Sequence, residues 1–424
     1  MLDIKMVREQ PDRIREELRK RGYSLDFERF LAIDEDRRAA ITALEAQRAA
    51  QNEASDRISQ LQGDERATAI EEVRSLKEVI VGLEQRKDDL DTEFFQLALQ
   101  LPNLTHESVP IGPDESGNVV VKTIGERRVF DFEPLQHQQI PAVIPLIDFE
   151  RGAKISGSRF WYLKGQLVTL NMALMSYAMR FYSDRGFEPM IPPVLVKEEA
   201  MWGTGFFPAD RNEIYSVNKE EDNLYLVGTA EVPLAGYHMD EVVDLAAGPL
   251  KYVGFSPCFR REAGTYGKDM RGIIRGHQFQ KIEMFIYCQP KDSWKLHEYL
   301  LQCAEEFLQS LGLHYQVLNM CSGDIGAPNA KKYDIETWMP GQGAFRETNS
   351  CSNDTDFQAR RLKCHFTDAQ GKRDFVHTLN NTGCADLRIL VAILENYQTA
   401  DGGVMIPEIL RSWCGFDRID APKK

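Results

Sequence analysis

The chain has 424 residues, 43% of them hydrophobic and 27% charged, a balance that excludes a disordered or fibrous protein and predicts a sizeable buried core. A formal net charge of −14 excludes indiscriminate binding to nucleic acid, because counterion release at phosphates needs clustered Lys and Arg. The length exceeds one average domain and suggests two unequal ones.

The opening residues, Met1-Leu-Asp-Ile-Lys5, contain no apolar core of a targeting signal, and no stretch reaches the length of a membrane span. A cytoplasmic protein with no membrane partner is therefore expected. From Ile33 the positions Ile33, Arg37, Ala40, Leu44, Gln47, Gln51, Ala54, Ile58 and Leu61 step by four and three along one helical seam. Gln62-Gly63-Asp64 suits a turn, after which Leu76, Ile80, Leu83, Lys87, Leu90, Phe94, Leu97 and Leu101 repeat the rhythm. Two helices of about 35 residues each, at about 1.5 Å per residue, predict an antiparallel hairpin on the order of 50 Å long over residues 27–100. Acidic residues outnumber basic ones there, and periodicity alone favours a structural or dimerising hairpin over one that contacts RNA.

Three prolines and a glycine between Leu101 and Pro113 break the helix and set a domain boundary near residue 110. Beyond it, short β-type runs such as Lys251-Tyr-Val-Gly-Phe255 alternate with helical runs such as 165–182, which predicts an α+β domain with an antiparallel sheet. No P-loop and no dinucleotide-binding turn is present, so bound phosphates would need side-chain cations. The eight cysteines, Cys258, Cys288, Cys303, Cys321, Cys351, Cys364, Cys384 and Cys414, show no metal-ligand spacing. Reduced, structural thiols and no zinc are expected.

The densest chemistry runs from Pro257 to Glu283 and reads as strand, glycine-bearing loop, strand. In extended chain Arg260 and Glu262 share a face, as do Lys281 and Glu283 on the return. Guanidinium and carboxylate groups on one surface suit a substrate carrying both phosphates and an amine. A solvated hairpin with cross-strand ion pairs, each worth well under about 1 kcal/mol, fits the same pattern, and periodicity does not choose between the two.

Phe259-Arg-Arg-Glu262, followed by a loop and Arg275, resembles the second signature of class II aminoacyl-tRNA synthetases. Glu262-Ala-Gly-Thr-Tyr-Gly-Lys-Asp-Met-Arg-Gly272, His277-Gln-Phe-Gln-Lys-Ile-Glu283, Gly228-Thr-Ala-Glu-Val-Pro-Leu234 and Arg346-Glu-Thr-Asn-Ser-Cys-Ser-Asn353 are similar to the text of the seryl-tRNA synthetases. The likeness runs from Met1 to Gln398. It implies the class II antiparallel sheet flanked by helices over 111–424, and an N-terminal tRNA-binding domain over 1–110 whose hairpin is a coiled-coil arm. The implied activity is serine–tRNA ligation, with L-serine, ATP and serine tRNA as substrates, Mg2+ as cofactor and a homodimer as the assembly. Selenocysteine tRNA would be charged where such a tRNA exists.

Residue by residue, the resemblance assigns Arg260 to the α-phosphate and the serine carboxylate, Glu262 to adenine and Arg275 to ATP. Thr229, Glu231 and Glu283 are expected around the serine amino and hydroxyl groups; Thr229 and Glu231 share parity, so one strand could present both. Asn380 and Thr382 belong to the same subsite. Glu347 and Ser350 match the magnesium and ATP site, and Arg388 matches the third-signature arginine that binds the γ-phosphate. Gly186-Phe-Glu-Pro-Met-Ile-Pro-Pro-Val-Leu195 resembles the first signature, with Pro193 at a dimer boundary. On the arm, Arg37, Arg38, Arg48 and Arg57 are candidate tRNA contacts.

The chain departs from the commonest family form in Asn380-Asn-Thr-Gly-Cys-Ala-Asp-Leu-Arg388, which lacks the glycines usual after the first Asn and before the Arg. Asp386 there would weaken ATP binding unless it faces away. Two other readings compete. A ligase that activates an amino acid for a carrier protein is disfavoured by the complete arm. A non-catalytic RNA-binding relative is disfavoured by retention of Arg260, Glu262, Arg275, Glu283, Glu347 and Arg388.

Overall fold

A computed structural model describes residues 1–263 and 271–423. The glycine-bearing loop expected after Glu262 therefore lies, over 264–270, outside the described residues. The chain divides into two units, one of Leu2–Arg19 and Tyr23–Pro102, the other of Met1, Lys20–Gly22 and Asn103–Lys424.

In the smaller unit the seam becomes helix α1, Phe27–Ile58, and helix α2, Gly63–Ala98. The Asp26 side chain accepts from the Arg29 N–H at 3.0 Å, satisfying one donor that the start of α1 would otherwise orphan. Ala40, Leu44 and Ala54 of α1 are buried together with Ile80, Leu90 and Ala98 of α2, and the Phe30 and Phe94 rings stack with centroids 5.3 Å apart. The turn falls slightly earlier than its sequence signal, over residues 59–62, and Gly63 opens α2 at φ +60°. The candidate arm arginines are all engaged. Arg37 pairs with Asp91, Arg48 with Glu84 at 2.6 Å and Arg57 with Glu72 at 2.9 Å, all across the hairpin, while Arg38 meets Asp34 at 3.2 Å within α1.

The larger unit is built on an eight-stranded sheet among the described residues. Its strands are β1 (Val119–Ile124), β2 (Glu188–Met190), β3 (Leu250–Phe259), β4 (Gln278–Cys288), β5 (Tyr315–Asn319), β6 (Lys331–Met339), β7 (Ala344–Thr355) and β8 (His377–Ala385), in the order β1-β5-β6-β7-β8-β4-β3-β2. All neighbours pair antiparallel except the edge strand β2, which runs parallel to β3. The expected antiparallel sheet thus carries one parallel edge, the strand of the first signature.

Period-two alternation sorts β4 cleanly between the two faces. Ile282, Met284 and Ile286 join one large core with helices α3 (Gln166–Ser183), α4 (Ser293–Ser310) and α5 (Asp386–Asn396). Lys281 and Glu283 point the other way, and further along that face Phe285 and Tyr287 enter a second core with Leu234 and Val376. Helices α3, α4 and α5 cover one side of the sheet, and on the other a cleft opens beside the second core. All eight cysteines are buried free thiols. No helix of the described residues is long and apolar enough to cross a membrane.

Gly383 in β8 lies where the sheet meets α3, and the Tyr182 hydroxyl of α3 donates to its carbonyl at 2.8 Å. A Cβ at Gly383 would stand 2.6 Å from Tyr182 Cε2 and 3.2 Å from Ile282 Cγ2. Gly383→Ala is expected to lower stability by about 1–3 kcal/mol through overpacking, read as a fall in the thermal unfolding midpoint; an unchanged midpoint would show that α3 yields freely.

Candidate active site

The cleft is lined by side chains from separate elements: Arg260 at the end of β3, Arg275 before β4, Lys281 on β4, Glu347 and Ser350 on β7, Thr382 on β8 and Arg388 on α5. Arg260 extends the β3–β4 ladder, its N–H donating to the His277 carbonyl at 2.9 Å. Its Nε donates to the Gly228 carbonyl at 3.2 Å, and its guanidinium lies 5.2 Å from the centre of the Phe279 ring. These contacts aim a planar cation along the cleft wall before any ligand arrives.

Two expected pairings by strand parity are corrected. Regular strand ends at Phe259, and Glu262 has φ +52°, so Arg260 and Glu262 do not meet by strand parity; the left-handed turn returns the Glu262 carboxylate to Arg275 at 2.9 Å. Thr229 and Glu231 are likewise not on one strand. Glu231 begins the short helix Glu231–Gly236, and Thr229 Oγ1 accepts from its N–H at 3.1 Å in the preceding turn. The same hydroxyl lies 3.4 Å from Glu283 Oε2, so the two residues still converge.

Glu347 and Ser350 are three apart, a spacing that a regular strand would split between opposite faces. The β6–β7 register shifts between the pairs Ile335↔Asn349 and Glu336↔Glu347, leaving Thr348 as an extra residue. The bulge returns both oxygens to the cleft, while the Thr348 hydroxyl is tied to Thr337 at 2.9 Å. A second shift in β8, between the pairs Glu283↔Thr382 and Ile282↔Cys384, leaves Gly383 extra and puts both Thr382 and Ala385 on the cleft wall. Thr382 Oγ1 then lies 3.5 Å from Ser350 Oγ.

Several charges in and beside the cleft are matched in pairs. Arg388 Nη1 is 3.1 Å from Glu347 Oε2 and donates to the Glu347 carbonyl at 3.0 Å. Burial opposes ionisation of Glu347, but the cations of Arg388 and Lys332 outweigh it and hold the carboxyl at about 2. Buried Lys281 pairs with buried Glu283, and Lys332 with Asp334 at 3.0 Å. The ionised carboxylate of Glu347 and the hydroxyl of Ser350 form a hard oxygen donor set on one wall, which fits Mg2+.

Beyond Glu283, the Glu231 carboxylate accepts from Gln358 Nε2 at 2.8 Å, and Gln358 Oε1 accepts from the Thr378 hydroxyl at 2.8 Å. Asn380 donates to Asp354 at 3.3 Å, and Asn329 donates to the same carboxylate at 2.6 Å. Burial and the like charges of Asp354 and Glu283 push Glu231 up to about 8, and burial raises Asp354 to about 7. Sequence reasoning missed Asp354 and Gln358. Neither stands in a recognisable spacing, and only the crossing of β7 and β8 with the following helix brings them here. Lys281 was visible as the parity partner of Glu283.

The departures in the third signature fall away from the cleft or into the core. Asn381 points to the helical face, where its amide donates to the Leu300 carbonyl of α4 at 2.8 Å, and Leu387 is buried in the main core beside the cleft. Asp386 faces away from Arg388. Its carboxylate accepts from the N–H groups of Gln280 at 3.0 Å and Leu387 at 2.7 Å and from Asn171 at 3.2 Å, at the start of α5 where the helix dipole favours negative charge. Burial still pushes it up to about 6.

Comparison with known proteins shows the same relation at every level. A seryl-tRNA synthetase N-terminal domain model matches residues 1–105, and a model of the class II tRNA synthetase core domain (G, H, P, S and T) matches residues 215–397. A serine–tRNA ligase of Thermodesulfovibrio yellowstonii is 44% identical over 99% of this chain and 100% of its own. The crystal structure of seryl-tRNA synthetase from Pyrococcus horikoshii complexed with ATP superposes with a TM-score of 0.93 at 40% identity, covering 100% of both chains. The cytoplasmic serine–tRNA ligase of Naegleria fowleri in complex with AMP gives 0.88 at 34% identity, over 100% of this chain and 99% of its own.

The raised Glu231 carboxyl sets the sign of a pH effect. The folded chain keeps this proton while the unfolded chain releases it near the ordinary Glu value, so stability falls as pH rises from about 4.3 towards the folded value of about 8. Glu231→Gln removes that term. The variant's thermal midpoint should gain on the parent's as pH rises from 5 to 8; a difference constant with pH would contradict the burial of this charge.

Proposed function

The chain belongs to the seryl-tRNA synthetases, class II aminoacyl-tRNA synthetases, and from that premise we propose how its residues share the reaction. The activity is ATP-dependent activation of serine as seryl-adenylate and transfer of serine to tRNA. One observation carries the assignment of roles: three guanidinium groups, Arg260, Arg275 and Arg388, come from three different elements to one cleft, as a bound triphosphate requires.

In the first step an oxygen of the serine carboxylate attacks the α-phosphorus of ATP, and the bond to pyrophosphate breaks. Arg260 holds the carboxylate and meets the charge that builds on the α-phosphoryl oxygens. Glu262 receives the adenine amino group, Arg275 steadies the phosphates, and Arg388 grips the γ-phosphate and then the leaving pyrophosphate. Glu347 and Ser350 would hold Mg2+, which would supply positive charge to the phosphates. No side chain is assigned as general base, because positioning and charge stabilisation carry a displacement of this kind. In the second step the 3′-terminal ribose hydroxyl of the tRNA attacks the seryl carbonyl, forming the ester and releasing AMP.

The amino acid is held by Thr229, Glu231, Glu283, Asn380 and Thr382. Glu283 accepts from the ammonium group, and the network of Thr229, Glu231 and Gln358 supports this reading because its polar groups are already aligned. Alanine would leave the groups meant for the hydroxyl without a partner, which a buried polar site penalises strongly.

Residues 1–110 form the tRNA-binding domain with its arm, and 111–424 the catalytic domain. Phosphates reaching Arg37, Arg48 or Arg57 would exchange with the carboxylates that now pair them across the hairpin. The assembly is a homodimer. Its interface includes the first-signature strand and Pro193, a reading supported by Ile191, 82% exposed, beside a groove lined by Met172, Met175, Met179 and Met190. The protein works in the cytoplasm.

ATP–pyrophosphate exchange tests the activation step without tRNA. Serine should support it with Mg2+, while threonine, alanine, cysteine and glycine should not; absence of exchange with all five would overturn the reading. Arg260→Ala should lower the exchange kcat by on the order of 100-fold or more, and full retention would remove Arg260 from the role given to it. Deleting residues 27–100 should abolish tRNA charging and leave exchange intact, and unchanged charging would exclude the arm from tRNA recognition.

A further inference from the structure

His137 lies outside the cleft, is 2% exposed, and belongs to no signature of the reaction. Its two ring nitrogens face different elements. Nε2 lies 2.9 Å from the backbone N–H of Ile273, and Nδ1 lies 3.1 Å from Oε1 of Glu395, which is 0% exposed. The Ile273 N–H can only donate, so Nε2 carries no proton, and the ring hydrogen sits on Nδ1, directed at the carboxylate. One tautomer satisfies both contacts.

The elements joined in this way are the two that bring cations to the phosphates. Ile273 precedes Arg275 by two residues, in the stretch 271–277 before the β4 ladder begins at Gln278. Glu395 occupies the last turn of α5, whose first turn carries Arg388. Glu395 is itself fixed from several sides. Its Oε1 also accepts from the His137 N–H at 3.2 Å and from Gln342 Nε2 at 3.2 Å, and its Oε2 accepts from the Gly341 N–H at 3.0 Å. The chain passes close over the imidazole because residue 272 is glycine: at φ +74°, a Cβ there would stand 2.1 Å from Nε2.

We propose that His137 is a positioning residue for ATP, the pin that sets the distance between the stretch bearing Arg275 and the helix bearing Arg388. It touches neither substrate. Its effect follows from the buried N–H it satisfies: without an acceptor, Ile273 gains by moving towards another partner, and Arg275 moves with it. The inference rests on the assignment of Arg275 and Arg388 to the phosphates made above.

Two substitutions separate the halves of the pin. In His137→Gln the side-chain oxygen reaches the position of Nε2 and can accept from Ile273, whereas in His137→Asn the amide reaches only the position of Nδ1 and keeps the contact with Glu395. In ATP–pyrophosphate exchange with the full-length enzyme, His137→Asn should raise KM for ATP on the order of 10-fold, with KM for serine within about two-fold of the parent. His137→Gln should recover most of the loss. Equal effects of the two variants, or equal rises in both KM values, would mean that His137 supports the fold generally and would overturn the proposal.

Hydrogen exchange of the unmodified enzyme provides a test that does not depend on a variant folding. The Ile273 amide should be protected without ligand and more strongly protected with ATP; free exchange of that amide in both states would overturn the pin. Serine-dependent exchange by the parent enzyme is the control for the underlying function, so its absence sinks that reading, whereas normal parent activity with indifferent variants sinks this one alone.

Discussion

Charges removed from water need partners, and the cleft is organised around that need. Lys281 with Glu283 and Lys332 with Asp334 are opposite charges two residues apart on one strand, Arg275 meets Glu262 across a turn, and Arg388 meets Glu347 from a separate element. Isolated in the interior, each ion would cost several kcal/mol, whereas in pairs they fix one another's direction. A ligand with phosphates and an ammonium group can replace one member of a pair by its own charge, so binding exchanges partners instead of creating buried ions anew. Glu347 illustrates the balance: its side chain keeps partial access to water, two cations face it, and the carboxylate stays ionised where a hard cation would need it.

Strand register decides which of these charges face the ligand. Period-two alternation sends the odd residues of β4 to the cleft side and the even ones to the helical core, so a one-residue slip would exchange Lys281 and Glu283 for Ile282 and Met284. The bulges at Thr348 and Gly383 change this parity where it is needed, bringing Glu347 to the side of Ser350 and Ala385 to the side of Thr382. The helical layer responds to the same geometry: Tyr182 closes on the Gly383 carbonyl, and Asn171 reaches the Asp386 carboxylate at the start of the helix that carries Arg388. Packing on one face therefore sets the position of charge on the other.

The smaller unit obeys simpler physics. Its two long helices bury small and branched residues along one seam and brace themselves with Arg–carboxylate pairs across the hairpin, each worth less than about 1 kcal/mol when exposed. Weak pairs are easily exchanged, as the proposed transfer of these arginines to a polyanion would require on a surface whose own charge is predominantly acidic.

The arm could be read from sequence because a helical seam is a local property: a three-four rhythm and a helix-breaking segment after Leu101 suffice to define it. The signature residues could be read because their types and order along the chain carry the resemblance, and Arg260, Glu262, Arg275, Glu347, Ser350, Thr382 and Arg388 do line one cleft. The bulges could not be read, since an extra residue in β7 or β8 is defined only by the strand it pairs with. The direction of Asp386 likewise depends on Gln280 and Asn171, neighbours distant in the chain. Asp354, Gln358 and His137 carry no local mark at all. Sequence by itself determined the residue types, the helical arm and the family to which the chain belongs; tertiary structure alone decided which side chains face one another, because pairing register and burial arise from contacts between segments separated along the chain.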